Sequence, residues 1–216
     1  LSHELEDVHN ATRPILQRLS GNEKFAKNMT RRIIVALLQG ELSEEIETRL
    51  LNALREDIPN FARYIDEETA RILIDAKSIK VNELGGLAVQ ANVQNWHENF
   101  TTAEIVKFTN NKVLAVRQAS WSLAENSVEQ MQKDVSYLIR TLDSKWDDSG
   151  EFWFGFFQTK FTEKELSPEI LVAICDSVKP AVQKFGRDLL QTYFKSADGI
   201  EYMLKLSEHP APEMSL

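Results

Sequence analysis

Apolar residues recur along this chain at spacings of three and four, the period of a helix buried on one face. A first helix is predicted over about residues 2–19, where Pro14 could introduce a kink, and Gly21 ends it. Phe25, Met29, Ile33, Leu37 and Leu38 mark a second helix that stops at Gly40. Ser43 followed by Glu44 and Glu45 is a helix start, with a side chain for orphan amides and acids for the positive end of the dipole. Ile46, Leu50, Leu51, Leu54 and Ile58 carry that helix to Pro59, and another is predicted over about residues 67–77. No sustained two-residue alternation bounded by turn residues occurs, so strands are not expected.

From there a pattern repeats. A short apolar helix ends in a polar residue, a brief turn follows, and a second amphipathic helix begins. Asp75 lies six before Val81, Asn110 six before Val116, Asp147 six before Trp153, Asp176 six before Val182 and Glu208 six before Met214; Asp143 before Ser149 is a poorer alternative to Asp147. The steps of 35, 37, 29 and 32 residues average about 33, a period that signals stacked repeats. Val116, Ala119, Ser120, Leu123 and Ala124 share their offsets with Val182, Phe185, Gly186, Leu189 and Leu190, which places Ser120 and Gly186 at one position. A mid-helix glycine costs about 1 kcal/mol against alanine, so Gly186 implies close helix–helix approach. Pro180 suits the first turn of its helix. A helix pair this small cannot bury its own apolar face, and stacking joins the faces into one core.

This pattern resembles the HEAT family, whose repeat pairs two helices with an acidic residue or Asn at the turn and Val-Arg near the start of the second helix. The match is best over Asn110–Ala119, with Val116-Arg117 in the Val-Arg place; Asp176–Gly186 has Gln183 where the Arg belongs, Glu208–Leu216 has Ser215 there, and Asp75–Gly86 fits loosely. The resemblance implies an all-α solenoid of stacked antiparallel helix pairs over residues 67–216, the last one truncated, after a divergent or capping region over 1–66. It also implies a scaffold for proteins, since most HEAT arrays serve so, while a minority bind nucleic acid, act on DNA bases or attach bilins. Fold alone does not choose among these.

Composition narrows the reading. Of 216 residues, 43% are apolar and 27% charged, enough for a continuous core. No stretch approaches the roughly 20 apolar residues of a membrane span, so no membrane partner is expected. The net charge of −8 disfavours nucleic acid without excluding a local basic face. Cys175 is the only cysteine, which rules out an intramolecular disulfide and is consistent with a cytoplasmic protein; between Ala173, Ile174 and Asp176 it reads as a small core residue. The chain opens Leu1-Ser2-His3 and closes Ala211-Pro212-Glu213-Met214-Ser215-Leu216, so a fragment of a longer protein is expected, and a monomer.

No metal, cofactor or catalytic set is expected. His3, His9, His97 and His209 have no ligand spacing, and no phosphate-binding glycine loop or nucleophile elbow occurs. The unusual stretch is Glu151–Phe161, whose aromatics span roughly 200° of a helix, twice an ordinary stripe. Either two neighbours bury it, or Trp153, Phe154 and Phe157 present part of it to a partner. Trp121, spaced by 25 residues from Trp96 and from Trp146, falls off the main stripe of its helix; either it packs in the core or between repeats, or it is a second candidate for a partner. Arg117, Lys184 and Arg187, with Lys112 and Lys179, lie near or on second helices, and either bind turn acids or track phosphates; Lys24, Lys27, Arg31 and Arg32 form another basic group that a solvated face explains. The expected function is a non-catalytic scaffold for an unidentified protein, with a nucleic-acid-binding repeat protein, one that could act on DNA bases, as the alternative.

Overall fold

Asn22, Ser43, Asp66, Thr101 and Ser167 each accept a backbone N–H through their side chains, and each starts a helix. Thr101 and Glu104 close a full capping box. In the computed structural model, which describes residues 6–40, 42–193, 199, 200, 202 and 204, these starts belong to an all-helical chain with no strand among the described residues. The helices are α1 (Glu6–Leu19), α2 (Glu23–Gln39), α3 (Glu44–Asn52), α4 (Glu67–Ile74), α5 (Ile79–Trp96), α6 (Thr102–Thr109), α7 (Leu114–Asn126), α8 (Val128–Lys133), α9 (Val135–Leu138), α10 (Asp147–Lys160), α11 (Pro168–Cys175) and α12 (Pro180–Tyr193). Gly40, at φ 74°, ends α2 in the left-handed conformation that favours glycine. Pro14 lies inside α1, which runs through it.

Two compact units form, one of Leu1–Trp96 with Lys112–Ala119, the other of His97–Asn111 with Ser120–Leu216. The expected boundary at residue 66 falls inside the first, at the cap of α4. In that unit glycines of α5 remove side chains where it meets its neighbours, Gly85 against α4 and Gly86 against the start of α7. A Cβ on Gly85 would stand 2.7 Å from the Ile74 amide nitrogen, and one on Gly86 would stand 2.5 Å from the Ala115 carbonyl carbon. Arg13 of α1 donates to the buried Asp57 carboxylate at 3.0 Å and to Glu56 at 2.6 Å, and Gln17 adds a bond to Asp57 at 2.7 Å. In the second unit α11 and α12 meet at Gly186, where a Cβ would lie 2.8 Å from Cys175 Sγ. The close approach expected at Gly186 is therefore present, and Cys175 is core.

The turns repeat more tightly than the spacing suggested. Asp75, Asn110 and Asp176 are each the C-cap of a short helix, with φ/ψ of −95°/4°, −96°/7° and −81°/2°. Four residues after each, α5, α7 and α12 begin. Asp147 is a correction: it is the first residue of α10 rather than a turn residue. Asp143 takes the turn place, following a 3-10 turn at Ile139–Thr141, and it too stands four residues before its helix. The steps 75 to 110, 110 to 143 and 143 to 176 are then 35, 33 and 33 residues. Six residues after each turn residue, Val81, Val116, Ser149 and Val182 are buried; ten after, Gly85, Ser120, Trp153 and Gly186 are buried. Glu208 and Met214 lie outside the described residues.

Candidate functional site

The second residue inward on three of these helices holds the turn. Asn82 Nδ2 donates to the Ala76 carbonyl at 2.6 Å and to Leu73 at 3.0 Å; Arg117 donates to the Lys112 carbonyl at 3.3 Å; Gln183 Nε2 donates to the Ser177 carbonyl at 2.8 Å. Arg117 is 6% exposed and its guanidinium donates to a carbonyl of the turn, in keeping with the structural one of its two expected roles. Lys184 and Arg187 are exposed on α12 and free to face solvent.

For Trp153 and Phe157 the structure has the first of the two expected arrangements, a helix covered by its neighbours. Both are fully buried, because α10 has neighbours on more than one side. Trp153 Nε1 donates to Thr109 Oγ1 at 3.1 Å, within a buried network where Ser149 Oγ donates to the Thr109 carbonyl at 3.1 Å and Thr109 meets Ser120 at 3.2 Å. Phe157 stacks on Phe161 at 4.7 Å. Phe154 is half-buried against Phe185, their centroids 4.6 Å apart. Trp121 is half-buried and stacks on Phe152 at 5.3 Å, while its Nε1 is buried with no hydrogen-bond partner among the described residues. Burial pushes the Cys175 thiol up, against a downward pull from Arg187, so the protonated form is favoured.

A cleft that sequence reasoning missed lies in the first unit. After α3 the helix loosens into a π-turn at Ala53–Asp57; Pro59 and Asn60 then reverse the chain, Asn60 at φ 58°. Only a 3-10 turn, Phe61–Tyr64, follows before Asp66 caps α4. This turn packs against both α2 and α5, and Asn92 Nδ2 ties it down through the Ala62 carbonyl at 3.1 Å. Above it opens a cleft of about 910 Å³. Its α2 wall changes character along the helix, from Glu23, Lys27 and Arg31 to Ile34, Val35 and Leu38; Arg63, Tyr64, Glu68 and Trp96 complete the lining that matters. Leu38 also lines an adjoining hollow of about 1020 Å³ that reaches Ile72 of α4.

Val35 and Ile72 are 48% and 51% exposed, high for apolar residues beside buried helix neighbours. Burial alone would raise the Asp66 carboxyl; bonds from Thr69 and the charge of Arg31 outweigh it and hold the group below its usual range. Lys27, Arg63, Glu23 and Glu68 have no ion-pair partner among the described residues. Thr30, fully buried in the wall, has a hydroxyl without a partner among them. A signal for this site did exist: Lys27 and Arg31 were seen as a basic group, and the short interval between Pro59 and Asp66 leaves no room for a second helix.

Among the described residues, no group of three or more His, Cys, Asp or Glu side chains could hold a metal ion, and no helix is long and apolar enough to cross a membrane. No protein-family model, curated protein or solved structure matches the chain.

Proposed function

We propose that the chain is a HEAT-like array of helix pairs that acts as a non-catalytic scaffold, holding a protein partner through a groove lined by its second helices. The observation that carries the repeat reading is the fourfold turn at Asp75, Asn110, Asp143 and Asp176, each followed four residues later by a helix and, six and ten residues later, by buried residues of that helix. The 910 Å³ cleft of mixed apolar and charged lining supports the binding role, since such concave, partly apolar surfaces bind partners. In this reading the scaffold works as a monomer in the cytoplasm.

Capture from a lysate of the source cell, with and without nuclease, tests the reading. The expected result is a protein partner that survives nuclease and is lost from the Lys27→Glu, Arg63→Glu double variant. The second reading, a nucleic-acid-binding repeat protein, is favoured by exposed Lys184 and Arg187 on α12. Partners that vanish with nuclease, or with Lys184→Glu and Arg187→Glu, would move the assignment there.

A further inference from the structure

The second helices of the first unit are uneven in a way that leaves a place unfilled. α2 has 17 residues and α5 has 18, but between them the corresponding segment is the four-residue turn Phe61–Tyr64. Pro59 cannot continue the preceding helix and Asp66 starts the next one, so the segment between them supplies no second helix. The cleft of about 910 Å³ lies over this turn. Two turns of an α-helix, ~11 Å long and ~10 Å across, occupy roughly 850 Å³. The walls are helices, and the exposed side chains Val35 and, past Leu38, Ile72 are the kind that a neighbouring helix normally covers.

We infer that this cleft receives an amphipathic helix of a partner protein, which takes the place of the missing second helix of this chain. The inference rests on the scaffold reading. The lining states the occupant's chemistry. Ile34, Val35 and Leu38 call for apolar side chains at helical spacing on one face of the guest. Toward the other end of α2, Lys27 and Arg63, without an ion-pair partner among the described residues, call for a carboxylate, and Glu23 and Glu68, likewise without one among them, call for a cation. A guest with both signs at one end and an apolar ridge at the other satisfies all of them. A polyanion does not, because Glu23, Asp66 and Glu68 line the same cleft as the cations.

The test uses the full chain carrying a photo-crosslinking amino acid at Val35, and separately at Lys184, irradiated in lysate of the source cell with cross-linked segments mapped by mass spectrometry. From Val35 the expected product is a segment of another protein with apolar residues at helical spacing. Made as a fluorescein-labelled peptide, that segment should gain helical circular dichroism on binding, and Val35→Asp and Lys27→Glu should each weaken its binding at least tenfold. Both positions are exposed, and a thermal melt of each variant confirms folding. Products from Val35 that are nucleic acid, a second copy of this chain, or a segment that binds without becoming helical would overturn the inference. So would binding unchanged in both variants. Protein products from Lys184 alone would overturn the helix slot and leave the scaffold reading standing; no protein product from either position would overturn the scaffold reading itself.

Discussion

Single residues in this protein divide by what stands around them. Gly186 and Gly155 both sit inside helices, yet a Cβ at Gly186 would lie 2.8 Å from Cys175 Sγ and 2.9 Å from its amide nitrogen, whereas one at Gly155 meets nothing within 4 Å. Gly186→Ala is expected to lower stability by about 1–3 kcal/mol through overpacking, and Gly155→Ala to raise it by about 0.5–1 kcal/mol through helix propensity. Urea titration of the two variants reads the opposite shifts in midpoint. Asp66 makes a prediction in pH. Its carboxyl is held below the usual range in the folded chain, so its contribution is present above the unfolded value, about pH 4, and lost as pH falls through the lower folded value. Asp66→Ala should therefore cost about 1 kcal/mol at neutral pH and nothing in strong acid. A cost that persisted unchanged at low pH would assign the effect to packing instead.

At the scale of the element, the recurring unit is a turn closed by a side chain from the helix that follows it. Asn82, Arg117 and Gln183 differ in charge and length but each reaches a carbonyl of its own turn. At this place the donor is shared and the charge is not. Asn82 is the most buried of these amides, so Asn82→Ala is expected to cost about 1–3 kcal/mol by leaving the Ala76 carbonyl without its donor, the Leu73 carbonyl keeping the Ala76 amide, and Gln183→Ala about 1 kcal/mol because water can replace it. Arg117→Ala should likewise lower the urea midpoint while partner capture by the folded variant stays at the wild-type level. The Asp143 turn has Gly150 at this place and is held otherwise, by Ser144 Oγ accepting from the Trp146 amide at 3.3 Å. The same position in the next turn is filled by Ser177, which accepts from the Lys179 amide at 3.0 Å and donates to Asp143 at 2.5 Å.

For the whole molecule, the balance of charge matters more than any one cation. A net charge of −8 opposes polyanions at long range, and the exposed Lys184 and Arg187 stand against that field. Single-stranded oligonucleotide is expected to show no retention in filter binding at physiological salt. Retention that weakened steeply as salt rose would mark phosphate contacts and favour the nucleic-acid reading over the scaffold.

The all-helical class, the helix start at Ser43, the turns at Asn110 and Asp176, the stop at Gly40 and the tight contact at Gly186 were legible in the sequence, because each depends on neighbours within a few residues or on a repeated offset. The choice between Asp143 and Asp147 was not, since both positions offer an acid six residues before a buried one and only the start of α10 separates them. Exposure was also beyond the sequence. The aromatics of α10 form a broad apolar face whether or not other helices cover it, and it was tertiary packing that buried Trp153 and Phe157 while leaving Phe154 and Trp121 partly open. The cleft follows the same rule. Pro59 and Asp66 determine locally that no helix forms between them, but whether the space is closed by neighbours or left open is decided only when α2 and α5 take their places on either side of the turn.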